Sequence, residues 1–259
     1  MRAAGRVAVF FLGLGGRSKR TKAFFVLSLV PLLLAVLIRL RPVLSPSPRG
    51  FSSVFYYSNV VLPVYVQFLV LMIALFYGTA IVMEEVEGRT LSYLLARPLP
   101  RPSLILGKFA ASAALGLLMM NVGLLASFLV LRFERAGDPA EWLTVLRDMA
   151  VLDLSLLCYL ALFTFLGTFV KRAVFFGLLF CFGWENVVAY FPGLTQKLAI
   201  AHYVKSLIPQ PPGQAFSFLQ LRLEPSPPLL SVLVLAGLTA VFLAAALVVF
   251  SRKEYVSAD

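Results

Sequence analysis

Six long apolar runs, with the charges confined between them, limit what this chain can become. They fall at about residues 23–40, 60–83, 104–131, 151–170, 173–191 and 229–250. A helix needs ~20 apolar residues to cross a hydrocarbon layer of ~30 Å, and these runs are near or above that length. Strands of a membrane barrel would alternate over roughly ten residues, and these runs do not. Inside a bilayer every backbone amide must find its partner within the protein, so uninterrupted runs of this kind form helices. The fold class expected is all-α, a polytopic membrane protein with six transmembrane helices.

Composition agrees. Hydrophobic residues make up 60% and charged residues only 14%, against about a quarter charged in soluble domains. A formal charge of +11 raises the question of nucleic acid. The cations sit between the apolar runs and near the start, without a basic stripe interleaved with aromatics on a soluble segment, so no nucleic-acid partner is expected. Cys158 and Cys181 both lie inside apolar runs, lack metal-ligand spacing and read as buried small side chains.

Residues 1–22 carry Arg2, Arg6, Arg17, Lys19, Arg20 and Lys22 around a short apolar patch, Val7 to Leu14. That patch is too short to cross, and an interfacial helix, its cations towards lipid phosphates, is expected there. Gly13, Gly15 and Gly16 are expected to end it. The long run that follows, with Arg39 and Arg41 after it, does not read as a cleaved leader. Pro31 predicts a kink in the first span.

Residues 41–59 are rich in Pro and Ser, and 132–148 form a polar segment with one short surface helix expected. Only Lys171 and Arg172 part the fourth run from the fifth, which makes those helices antiparallel neighbours. Residues 192–228, divided by Pro209, Pro211 and Pro212, read as an external segment with one or two short helices; His202 is read as a loop residue there. Residues 251–259 form the tail. With both termini inside, inner segments hold fourteen Lys and Arg and outer ones nine, which favours cytoplasmic termini in a cell inner or plasma membrane.

The most densely charged stretch lies between the second and third runs, residues 84–103, and on this orientation it faces the cytoplasm. Glu84, Glu85 and Glu87 close the second run, and Gly88 breaks the helix. Thr90 can cap a new short helix in which Leu91, Leu94 and Leu95 share one face. Arg97 suits its last turn and Pro98 ends it. Pro100 and Pro102 then forbid continuation, and Ser103 can cap the third run. A short amphipathic helix lying at the surface between two spans is a docking element for a soluble partner.

Chemistry of its own is sparse. Gly107-Lys108 is followed by Phe109 and lacks the phosphate-loop pattern, so the chain is expected to bind no cofactor itself. His202 is the only histidine, which leaves zinc and serine-hydrolase sites without their parts. Glu84-Glu85 and Arg89 match a Glu-Glu-x-x-x-Arg element of membrane proteases that resemble the CAAX-processing family, but the partner histidines of that family are missing. No catalytic or metal residue is therefore assigned. Among intramembrane polar groups, a carboxylate costs at least ~2.5 kcal/mol at mid-depth unless paired or wetted. Glu185, beside Asn186, stands about 18 Å along the fifth span from Ala173. It either lines a pathway or ties to an external cation. Gln67 and Asn121 are weaker pathway candidates, since single amides often only join helices.

Glu84, Glu85, Glu87, the step Gly88-Arg89-Thr90-Leu91, Leu94-Leu95, Pro98, Arg101 and Gly107-Lys108 opening the third run together resemble the ABC-2 type permeases. These are membrane subunits of bipartite ATP-binding-cassette transporters. Arg89 between Gly and Thr departs from the commoner Gly-Thr-Leu form and is similar to the branch of the nitrous-oxide reductase maturation permease. The resemblance implies that the stretch is a coupling helix seated in a cleft of a separate ATPase, which carries ATP and Mg. Leu91, Leu94 and Leu95 would pack in that cleft, with the glutamates, Arg97 and Arg101 fixing orientation. It implies two permeases, a second copy or a paralogue, with two ATPases, and export of substrate between them. A different class of function, force or signal transduction to an external partner protein without bulk transport, would use residues 41–59 and 192–228 as its surface.

Overall fold

The computed structural model describes residues 2–44, 52–87, 101–135, 137–170, 172–185, 188, 194–208 and 225–252. Among them there is no strand. The helices are α1 (Arg2–Arg17), α2 (Lys19–Ser28), α3 (Val30–Leu44), α4 (residues 53–87), α5 (Arg101–Arg132), α6 (Pro139–Phe169), α7 (Ala173–Trp184), α8 (Ile200–Leu207) and α9 (Pro228–Arg252). Among the described residues, five segments are long and apolar enough to cross a membrane: Lys19–Leu40, Ser53–Met83, Pro102–Arg132, Pro139–Phe169 and Pro228–Arg252. Of the fifth expected run the described residues hold α7, an apolar helix shorter than those five segments. The molecule is an all-α polytopic membrane protein.

Helix α4 is the hub. Val61, Tyr65, Val70, Ala74 and Leu75 are wholly buried along it. Its tightest neighbour is α6, and two glycines explain how close they come. A Cβ on Gly78 would meet Phe163 Cβ at 2.8 Å, and one on Gly167 would meet the Thr79 carbonyl oxygen at 3.0 Å. Small residues at a crossing let two backbones approach, and packing between helices in lipid depends on that approach. By contrast α9 lies at the periphery, with Leu229, Leu233, Val241 and Val248 exposed as side chains that face lipid are.

Helix α4 is not uniform. Tyr57–Val61 and Tyr65–Leu69 are π turns, in which Leu62 N–H reaches the Tyr57 carbonyl and Val70 N–H that of Tyr65. Pro63, between them, has no amide to give and crowds the turn before it, and a widened turn accommodates that. A third π turn, Phe180–Trp184, ends at Glu185 and resets the direction in which that side chain leaves the helix.

Several expectations are corrected. Gly13, Gly15 and Gly16 do not end α1, which runs to Arg17. Gly15 instead packs closely on α5, where an added Cβ would meet Leu115 Cδ1 at 2.9 Å. The α1–α2 boundary is set by Ser18, whose Oγ caps α2 by accepting from Thr21 N. Ser103 does not cap the third run. Helix α5 starts at Arg101, since Pro102 falls in its first turn where no amide donor is required. Gly107-Lys108 accordingly lie inside α5, not at its opening. The segment 132–148 is not a loop with a separate surface helix: after the 3-10 turn Phe133–Arg135, Asp138 caps α6, which continues into the span. Pro31 does interrupt the first span, as a break at Leu29 between α2 and α3.

Candidate functional site

The backbone of α4 stays helical through Glu84, Glu85 and Glu87, and Arg101 opens α5, but the side chains of these four lie outside the described residues. Gly88, Arg89, Thr90, Leu91, Leu94, Leu95, Arg97 and Pro98 also lie outside them. What the structure does describe is the base from which that stretch projects. Lys108, counted from sequence among the inner-loop cations, is buried inside α5. Its Nζ donates to the Ile81 carbonyl of α4 at 3.2 Å and stands 4.7 Å from the centre of the Phe11 ring of α1. A hydrogen bond from a charged group contributes about 1.5–3 kcal/mol. One ammonium thus joins three helices just inside the docking stretch.

The start of α2 is fastened to the same place. Tyr77 Oη on α4 donates to Thr21 Oγ1 at 2.8 Å, and Ser18 Oγ reaches the same oxygen at 2.9 Å. The Arg20 guanidinium lies over the Tyr77 ring, 4.8 Å from its centre, a contact that the ring quadrupole favours. The end of α1, the start of α2, the inner part of α4 and the first turns of α5 are thus joined by side-chain contacts.

At the other end of the fold, two of the pathway candidates are brought together. Gln67 and Glu185 line a cavity of about 20 Å³ with Tyr159 and Lys205, room for one water. The Glu185 carboxylate accepts Ile200 N–H at 3.2 Å and Ala201 N–H at 3.0 Å. Those are orphan amides at the start of α8, where a negative charge is favoured. Lys205 is buried nearby; burial pushes its ammonium below the ordinary lysine range, and the Glu185 carboxylate opposes that shift. Asn186 lies outside the described residues. Asn121 does not line this cavity: its Nδ2 donates to Asp153 Oδ1 of α6 at 2.9 Å. Asp153 escaped the sequence reading, although a carboxylate inside the fourth apolar run meets the criterion that picked out Glu185.

Two further polar residues of 132–148, Arg132 and Asp148, prove to be buried. Arg132 pairs with Glu141 and faces the Tyr57 and Phe128 rings at 5.3 and 5.9 Å. Tyr57 Oη donates to Asp148 Oδ2 at 3.1 Å, and Arg39 pairs with Glu134. Arg147 Nη2 donates to the Leu207 carbonyl at 2.7 Å. His202 is not a loop residue but a buried member of α8, with Nε2 2.9 Å from Ser226 Oγ. Sequence reading missed these partners because most of the pairs join residues far apart in the chain.

A family model described as ABC-2 family transporter protein matches residues 15–255. No curated protein matches the chain.

Proposed function

We propose a specific role on one premise: the chain belongs to the ABC-2 family of transporter proteins, and is a membrane permease component of an ATP-binding-cassette transporter. It couples ATP hydrolysis on a separate ATPase subunit, where ATP and Mg bind, to export of substrate across the cell membrane. Both termini face the cytoplasm, and a second permease, copy or paralogue, completes the pathway. Residues 84–103 are the coupling element. Leu91, Leu94 and Leu95 are the apolar face that the ATPase cleft takes, and Glu84, Glu85, Glu87, Arg97 and Arg101 orient it. Gly88-Arg89-Thr90 resembles the branch of the nitrous-oxide reductase maturation permease.

The observation that carries this reading is the Lys108–Ile81 bond. A lever transmits motion only if its base is stiff. Here the two helices that flank the docking stretch are tied by a buried ammonium, and α1 and α2 are fastened to them. Closure of an ATPase dimer against the stretch would then shift α4, the hub, as a rigid element.

The test is reconstitution with the ATPase subunit. Leu94→Asp with Leu95→Asp is expected to insert normally, yet to abolish co-purification and ATP-dependent transport. Retained assembly and ATPase stimulation would count against the docking role. Hydrolysis tied only to an external protein, without substrate movement, would favour force transduction over export.

A further inference from the structure

Between the end of α1, the start of α2, the inner part of α4 and the first turns of α5 lies a cavity of about 300 Å³, open on one side. That is the lower end of the range for small-molecule sites, the size of a headgroup. Its walls differ. Arg20 and Lys108 face it from α2 and α5, with Ser18 and Ser112 beside them; Phe11 and Leu14 supply an apolar side. No carboxylate is among its described lining residues.

Position narrows the ligand. Lys108 is seven residues into α5, so about 10 Å above the helix start; a helix of 32 residues outreaches a hydrocarbon layer of ~30 Å at both ends, which sets Lys108 near the headgroup boundary on the docking-stretch side. Helix α1 exposes Val9, Phe10, Leu12 and Leu14, and an interfacial helix lays such a face in lipid. The apolar side of the cavity therefore continues into a surface already solvated by acyl chains. A soluble anion would gain nothing from Phe11 and Leu14; a phospholipid would use both walls.

We propose that this cavity is a binding site for the phosphate group of an anionic phospholipid. The guanidinium of Arg20 and the ammonium of Lys108 supply charge, the Ser112 hydroxyl adds a hydrogen bond, and the first acyl carbons rest on Phe11 and Leu14. The occupant bridges α2 and α5, so it stiffens the base of the docking stretch from the lipid side. The site stands on membrane insertion and this geometry, and its test needs no ATPase.

The full-length chain is placed in nanodiscs of phosphatidylcholine with and without phosphatidylglycerol, extracted gently and weighed by native mass spectrometry. One phosphatidylglycerol is expected to stay on each chain where phosphatidylcholine does not. A cation near a phosphate contributes about 1 kcal/mol, a factor of roughly five, so Arg20→Gln with Lys108→Met is expected to weaken retention about 30-fold. Ser112→Phe keeps both charges but fills the cavity, and is expected to lose the lipid as well. Equal retention of the two lipids, or undiminished phosphatidylglycerol on both variants, overturns the proposal. So does stabilisation by inorganic phosphate equal to that by phosphatidylglycerol, which would make the ligand a free anion. Glu84 and Glu85 follow Ile81 closely in sequence; if they alone answer the two cations, the double variant unfolds more easily while lipid retention is unchanged, and the proposal fails.

Discussion

Glu185 and Arg147 hold opposite ends of one eight-residue helix. The Glu185 carboxylate takes the amides of Ile200 and Ala201 at the start of α8, and Arg147 donates to the Leu207 carbonyl at its end. Both charges complement the helix dipole. A helix this short is marginal by itself; it packs chiefly on α9 and more lightly on α6, and these two grips fix its ends.

Glu185→Gln therefore has a definite consequence. An amide presents one acceptor oxygen where the carboxylate offered two, which leaves a buried donor unmatched and costs about 1–3 kcal/mol. The expected result is a lower melting temperature of the purified protein, with transport by the folded fraction unchanged. Altered transport at an unchanged melting temperature would make Glu185 a pathway residue.

Arg132 and Glu141 form a buried ion pair. Removing one partner strands the other, at a cost of about 3–5 kcal/mol, whereas replacing both by apolar residues is often close to neutral. Arg132→Leu and Glu141→Leu are each expected to destabilise strongly, and the double variant to recover most of the loss. Additive losses in the denaturation cycle would show that the pair does not act as one unit.

The α4–α6 crossing gives a steric prediction. Gly78→Ala puts a methyl 2.8 Å from Phe163 Cβ, and overpacking of this kind costs about 1–3 kcal/mol. Gly237→Ala, with nothing within 4 Å of the new Cβ, is expected to be neutral or slightly stabilising. Thermal unfolding in detergent separates them; equal behaviour would mean that the crossing is looser than described.

Much of the architecture was legible because lipid removes alternatives: a long apolar run has to be a helix, and five such segments have the length to cross. Punctuation was read less well. Proline in the first turn of α5 is tolerated because no amide donor is required there, and Gly15 inside α1 answers to a close approach outside its own segment, that of Leu115. The polar pairs were least legible. Glu185 was visible as a costly carboxylate, but its partners are amides of Ile200 and Ala201, which carry no signal of their own. Lys108 looked like a loop cation because sequence counts charge and not depth, and its snorkelling stem reaches Ile81 from inside a helix. The docking stretch itself rests on its sequence pattern, while the structure supplies the base beneath it.

The most direct measurement places Leu94. With Cys158 and Cys181, both buried, replaced by alanine, a single Leu94→Cys variant is exposed to a membrane-impermeant maleimide in intact cells and in inside-out vesicles, with and without the ATPase subunit. The account predicts labelling only in inside-out vesicles and protection there by the ATPase. Labelling from the outer face, or a rate indifferent to the ATPase, would contradict it.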